Sequence, residues 1–245
     1  MTTMNTTREL NLEIAHNVRH LGGYRAANGR STNESMVRSA SLHRLTSNGL
    51  GALADSGVEV IVDLRSTEER ARDVTPDAAP FGIRQVHAPV FEQDASPAGL
   101  GAEFKGYGPV YISMLDTGRD AYRTLFETVA SADGRVLFHC AAGKDRTGIA
   151  AALLLDLAGV DEPTILDDFA ISASLLAPLL PEWLPRMAER GVSEELARGL
   201  MYSEPEYMET LLGYLRTTHG NAEGYFRHIG VSPSAIQTVR EKITA

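Results

Sequence analysis

Arg135-Val136-Leu137-Phe138-His139-Cys140-Ala141-Ala142-Gly143-Lys144-Asp145-Arg146-Thr147-Gly148 is the stretch on which the fold turns. It opens short, apolar and β-favouring, and the run that follows, Ile149 to Gly159, is almost continuously apolar and rich in Ala and Leu. The spacing predicts a buried strand, a tight loop and a buried helix, with the polar residues confined to the loop. The chain's only cysteine opens that loop, and an arginine closes it. Between them Ala141, Ala142, Gly143, Lys144 and Asp145 can curl round one tetrahedral anion with their amide N–H groups turned inward. The helix behind adds further N–H donors and the positive end of its dipole. An anion held there rests on the Cys140 sulfur, an arrangement suited to attack on a phosphate.

Working outward, the bulk properties bound the answer. With 245 residues, 43% hydrophobic and 22% charged, the chain is long enough for one good core, read as a single domain over 1–245. A formal charge of -9 and a pI near 5.3 argue against a nucleic-acid binder, which usually shows a basic face. A single cysteine excludes an intrachain disulfide, so folding needs no oxidising compartment. The N-terminal residues lack an apolar block of signal-peptide length, and no stretch is read as a membrane span of ~20 apolar residues. A cytoplasmic location is the default expectation, although export without a cleavable signal would leave no trace here.

The pattern places the remaining elements. Residues 1–14 are expected to be disordered. Gly22-Gly23 and Asn28-Gly29 suggest short strands or a hairpin between Asn17 and Arg30. Val37 to Leu45 is read as a strand, and Thr46 as the cap of a helix reaching Ser56. Val58 to Leu64 is a β-branched run expected as a central strand. Ser66-Thr67-Glu68-Glu69 has capping-box spacing, which puts Asp63 and Arg65 at a strand's carboxyl end, where open α/β sheets place their ligands. Ile83 to Phe91 reads as the next strand, and Asp94 to Pro109 as a Gly-rich loop. Tyr122, Leu125, Phe126 and Val129 form one face of a helix. Beyond Gly159 the pattern is helical, with helix starts at Asp161, Ser193, Ser203, Asn221 and Ser232, and an interruption at Pro178, Pro181 and Pro185. The class is α/β: a central, mostly parallel sheet flanked by helices, with a helical C-terminal half.

Each loop residue has a chemical reading and a bland one. Cys140 could be a buried structural thiol, but a helix N-terminus beside His139 and Arg146 favours the thiolate nucleophile. A cation in the first turn of a helix opposes the dipole, and a bound anion would resolve the conflict for Arg146, whose fork matches two phosphoryl oxygens. Lys144 is either a surface charge or a second cation for a polyanionic substrate. A carboxylate at Asp145 would repel a phosphate dianion; protonated, it could give its proton to the leaving oxygen. Thr147 can hydrogen-bond the sulfur or satisfy local amides, and His139 is expected to fix the loop rather than act as a base. A nucleotide-binding Walker loop is excluded, because its required Gly and Ser/Thr positions hold Phe138 and Asp145.

His139, Cys140, Arg146 and Thr147 together match the signature of the cysteine-dependent phosphatase superfamily: His-Cys, five residues, Arg, then Ser or Thr. Within it, the chain resembles the bacterial tyrosine phosphatase family typified by mycobacterial PtpB, which carries the same Gly-Lys-Asp-Arg-Thr-Gly loop as Gly143 to Gly148. The likeness extends to Asn17-Val18-Arg19 with Leu21-Gly22-Gly23-Tyr24, to Asp63-Leu64-Arg65-Ser66 and to Tyr225–Gly230. The resemblance implies a phosphatase-like fold, attack by Cys140, and phosphoryl binding by the segment from Ala141 to Arg146. It also implies a two-step reaction and Asp145 as general acid; Asp63 is the fallback because its strand ends at the same sheet edge. A helical lid is implied too, for which 175–202 is the candidate by position. The expected substrate is a phosphorylated protein, with inorganic phosphate as product and no metal or other cofactor required. Myotubularin-type and Sac-type phosphoinositide phosphatases share Asp-Arg-Thr in this loop, which keeps dual-specificity and phosphoinositide substrates as the alternative. A non-catalytic phosphate-binding module is disfavoured, since a binder has no need of the thiol. His20 departs from the family pattern, which tends to have Asp there.

Overall fold

The computed structural model describes residues 8–9, 15–92, 106–189 and 191–245, except the side chain of Leu196. Five strands form one sheet: β1 (Arg19–His20), β2 (Met36–Ser39), β3 (Val58–Asp63), β4 (Arg84–His87) and β5 (Arg135–His139), in the order β1-β2-β5-β3-β4. Only β1 runs antiparallel; the other four are parallel. β5 is central and fully covered on both faces, so Val136, Leu137 and Phe138 pack without alternation. Its neighbours end level with it: Ser39 on β2 and Asp63 on β3 both pair with His139. Three carboxyl ends therefore converge where the Cys140 loop begins.

Helices α1 (Ser47–Asp55) and α2 (Thr67–Arg72) follow β2 and β3, and α3 (Gly108–Thr117) and α4 (Arg119–Ser131) precede β5. α5 (Asp145–Ala158) is buried along nearly its whole length, and Gly159 ends it in the left-handed conformation at φ 77°. α6 (Glu162–Leu176), α7 (Leu180–Glu189), α8 (Glu194–Met201), α9 (Pro205–His219), α10 (Ala222–His228) and α11 (Pro233–Ile243) complete the helical half. Side-chain caps start several of these helices: Thr46, Ser66, Asp161, Asn221 and Ser232 each accept from an amide in the first turn. Such a cap contributes about 1 kcal/mol.

Several expectations need revision. The strand expected over 37–45 ends at Ser39, because the chain beyond it turns to support the active loop. The strand expected over 83–91 stops at His87, two residues before Pro89, which has no amide to donate. Of the two readings for 17–30 the short strand holds: β1 pairs with β2, and the Asn28-Gly29 turn closes an isolated Arg25–Ser31 bridge. The Asp94–Pro109 loop lies largely outside the described residues, and its end is already α3. The 1–14 expectation also lies outside them, apart from Arg8, which stacks on Tyr24, and Glu9, which bridges to Arg19.

Of the prolines expected to interrupt the helices, Pro178 does so and Pro185 does not. A 3-10 turn at Ala177–Leu179 joins α6 to α7, and Pro185 sits inside α7. The resulting 28-residue run, Glu162–Glu189, is long enough, and in its most apolar 18-residue window (mean hydropathy 1.3) apolar enough, to cross a membrane by length and composition alone. The sequence reading missed it by looking for an unbroken apolar block. Within the fold, this run carries Asp168, which is buried in ion pairs with Arg19 and Arg38.

Candidate active site

From Cys140 to Gly143 every peptide carbonyl has a partner, and three of the four are taken from outside the loop. The Cys140 carbonyl lies 3.2 Å from His139 Nδ1, and the Ala141 carbonyl accepts from the Ser41 amide at 2.9 Å. Asn17 Nδ2 donates to the carbonyls of Ala142 at 3.1 Å and Gly143 at 2.9 Å, and an Arg38 Nη donates to Gly143 at 2.9 Å. A planar trans peptide holds its C=O and the next N–H on opposite sides. Capturing four successive carbonyls on the outside thus aims the amides of residues 141 to 144 at the inside. The start of α5 adds its own unpaired amides, since Lys144, the N-cap, gives no side-chain cap. The result is an anion cradle with the Cys140 side chain at its floor, almost wholly buried.

Gly143 makes the curl possible. Its φ is 66°, and a Cβ there would sit 2.3 Å from the Ser39 carbonyl oxygen. Gly143→Ala is expected to push the loop off β2, lowering stability by roughly 1–3 kcal/mol. Its kcat/KM for an aryl phosphate should fall more than about a hundredfold, the cost of one misplaced oxyanion donor. Steady-state kinetics and urea unfolding check both.

Arg146 is 7% exposed and held as a fork: its two Nη groups donate to Glu69 Oε2 and Oε1 at 2.5 and 2.8 Å. Glu69 is also the capping-box residue of α2, accepting from the Ser66 amide. Phe91 lies over the guanidinium, 4.7 Å from its centre. Asp145 Oδ1 receives the Tyr111 hydroxyl at 2.5 Å and lies 3.2 Å from Lys144 Nζ. The Thr147 hydroxyl is buried without a hydrogen-bond partner among the described residues.

Lys144 does not face solvent. Its ammonium donates to the carbonyls of Leu200 and Tyr202 at 2.5 and 3.0 Å and lies over the Tyr107 ring. It thereby caps the C-terminal end of α8, where a cation complements the dipole. On the β2 side Arg44 pairs with Glu182 of α7. The helices between residues 175 and 202 are fastened to the loop edge at both points.

Asp63, the fallback acid, is engaged by an arginine. Arg65 grips both of its oxygens, with Nε–Oδ1 at 2.9 Å and Nη–Oδ2 at 2.7 Å. Arg65 then donates to Ser41 Oγ at 3.0 Å, and the Ser41 amide holds the loop at Ala141. Asp63 is therefore the anchor of a strut. His139 is kept neutral by burial, which lowers its pKa. His20 Nδ1 accepts the Gly22 amide at 3.1 Å, a role open to an aspartate carboxylate.

The electrostatics set an acid limit on the fold. Burial alone would raise Asp63, Glu69 and Asp168, yet their partners hold all three below the ordinary carboxylate range: His139 and Arg65, Arg146, and Arg19 with Arg38. Each binds protons more readily unfolded than folded, so its stabilisation is complete above the unfolded value and is lost as pH falls below it. His139 adds a weaker decline below its ordinary value of 6.5, since the unfolded chain protonates there first. Urea midpoints are expected to fall slightly from pH 6.5 and steeply below about pH 4; Asp168→Asn should flatten the steep limb.

Comparison with known proteins gives the family. The model of the tyrosine phosphatase family matches residues 10–245. The chain belongs to that family. Its members are tyrosine-protein phosphatases, hydrolases that take a phosphorylated substrate and release phosphate. A tyrosine-protein phosphatase from Nostoc commune is 32% identical over 223 residues, covering 86% of this chain and 74% of that relative. A relative from Cupriavidus necator, also named as a tyrosine-protein phosphatase, is 32% identical over 235 residues, covering 89% and 83%. The protein named triple specificity protein phosphatase PtpB from Mycobacterium tuberculosis is 27% identical over 248 residues, covering 84% and 89%.

Within this family member, the structure brings His139, Cys140, Asp145, Arg146 and Thr147 to one loop, with Asp63 supporting from the next strand. Sequence reading missed Glu69, Asn17, Arg38, Tyr111 and Phe91. Glu69 was visible only as a capping residue, and nothing local signalled its long-range arginine. Asn17 lies in the Asn17-Val18-Arg19 segment, and its φ of 56° has no signal in the sequence.

Proposed function

We propose that this chain hydrolyses phosphotyrosine through a phosphocysteine intermediate. The observation that carries the reading is the outward capture of four carbonyls, which leaves a ring of amides above the Cys140 side chain. The Cys140 thiolate attacks phosphorus, an S–P bond forms, and the P–O bond to tyrosine breaks. Asp145 gives its proton to the departing phenolate oxygen. Water then attacks phosphorus, Asp145 takes a proton from it, the S–P bond breaks, and inorganic phosphate leaves. Arg146 and the inward amides hold the equatorial oxygens in both steps.

Aromatic rings flank the loop: Phe91 lies over Arg146, while Tyr107, Tyr111 and Tyr207 cluster on the Asp145 side. That setting supports an aryl ester. The burial of Lys144 against α8 supports the same choice, because the cation a second phosphate would need is already engaged. We assign α7 and α8 as the lid over this pocket, held by Lys144 and by the Arg44–Glu182 pair. A substrate panel of phosphotyrosine, phosphoserine and phosphothreonine peptides and phosphoinositides, compared by kcat/KM, tests the assignment. Phosphotyrosine is expected to lead; a higher value for a phosphoinositide would mean that Lys144 leaves α8 for the substrate.

Asp145→Asn separates the proton donor from the rest. It is expected to slow alkyl phosphates by roughly 10²–10³-fold, within the usual range of general acid catalysis, and activated nitrophenyl esters far less. Equal losses for both leaving groups would show that Asp145 only positions the loop.

A further inference from the structure

Behind the loop lies a buried assembly of charged and polar side chains. Asp168 on α6 accepts from Arg38 at 2.5 Å through one oxygen, and from Arg19 at 3.1 Å and the Tyr24 hydroxyl at 2.9 Å through the other. Arg19 also donates to Asn17 Oδ1, which fixes the amide so that Nδ2 faces the loop. Two donors then converge on one acceptor, the Gly143 carbonyl: Asn17 Nδ2 and an Arg38 Nη, each at 2.9 Å. Asn17 reaches it from a left-handed backbone at φ 56°, a conformation that carries strain in non-glycine residues. Ion pairs buried this deeply are weak contributors to stability and are often replaceable by apolar residues. Here the output of the assembly is a pair of hydrogen bonds on the loop.

We infer that Asn17 and Arg38, braced by Asp168 and Arg19, are positioning residues that aim the phosphate-binding amides. By fixing the Ala142 and Gly143 carbonyls outward they hold the following N–H groups, those of Gly143 and Lys144, toward the phosphoryl oxygens. The inference rests on the proposed function for its anion but not on turnover. Without the clamp the 143–144 peptide is free to rotate, which replaces a donor by a carbonyl oxygen facing the anion.

The test uses the single cysteine as its reporter. Iodoacetate is an anion that the cradle attracts; iodoacetamide is its neutral counterpart, so the ratio of their alkylation rates at Cys140 measures amide alignment. Tungstate inhibition of aryl phosphate hydrolysis gives a second reading. Two variants of the full chain are compared with wild type: Asn17→Gly, which keeps the positive φ and deletes the amide, and Arg38→Lys, which keeps a charge for Asp168 but not the fork. Both are expected to weaken tungstate roughly ten- to a hundredfold, the range of one charge-assisted hydrogen bond, and to lower the iodoacetate preference with it. An unchanged preference and unchanged tungstate affinity would overturn the inference, whether or not the melting temperature falls. If Arg38→Lys does not fold, Asn17→Gly decides. A lost preference in a variant that still turns over slowly supports the clamp, and loss of turnover with the preference intact would overturn it; a wild-type protein with no preference for iodoacetate would count against the cradle of the proposed function instead.

Discussion

Serine at position 140 is expected to reduce hydrolysis of p-nitrophenyl phosphate by more than about 10⁴-fold, as removal of an enzyme nucleophile does elsewhere. The substitution exchanges one atom at the floor of the cradle. A thiolate is a strong nucleophile near neutral pH, while a serine hydroxyl needs a base, and His139 is in no position to be one. Its Nδ1 is used on the Cys140 carbonyl, and its Nε2 faces Asp63 without a hydrogen bond. The carbonyls of Ala141, Ala142 and Gly143 are held by Ser41, Asn17 and Arg38, bonds that the substitution leaves in place. Tungstate should therefore bind Cys140→Ser with near wild-type affinity, measured by calorimetry. Residual turnover above one per cent would mean that water or another residue attacks phosphorus.

Arg146→Lys carries the second large effect. The guanidinium is set between Glu69 and Phe91 with both Nη groups on the Glu69 carboxylate, so its plane is fixed before substrate arrives. A lysine keeps the charge but offers a single point donor on a mobile stem, and it cannot match Glu69 and a phosphoryl face at once. Removing one oxyanion donor costs about 10²–10³-fold in kcat, and a loss of roughly 10³-fold in kcat/KM is expected here. Phosphate binding should weaken in parallel. A loss below tenfold, measured by steady-state kinetics at saturating substrate, would mean that the amides alone carry the transition-state charge.

Much of this site is written in one stretch. The run from Arg135 to Gly159 has the strand, loop and helix in order, and the loop holds the nucleophile, both cations and the candidate acid within a few residues. Val58 to Asp63 and the Ser66 cap were equally legible, because their signals are local: β-branching in one case, a three-residue spacing in the other. What escaped reading acts across the chain. The Glu69–Arg146 pair joins residues that no periodicity connects, and Asp168 reads as one of two adjacent aspartates on a largely apolar helix. Lys144 shows the limit best. Its type and position suggest a substrate contact, yet the structure turns it to the end of α8, a partner set by how α8 packs. Strand lengths failed for a related reason: Ala40 to Leu45 has strand-like neighbours but is recruited to brace Ala141 through Ser41.

The account stands or falls on where the phosphoryl group goes. A rapid acid quench of the wild-type protein turning over a radiolabelled phosphotyrosine peptide, followed by peptide mapping, reads this directly. Label is expected on the peptide containing Cys140, appearing with the burst of free tyrosine and lost in Cys140→Ser. Full release of tyrosine with label found only in inorganic phosphate, at every quench time and at substrate concentrations that saturate the enzyme, would contradict it.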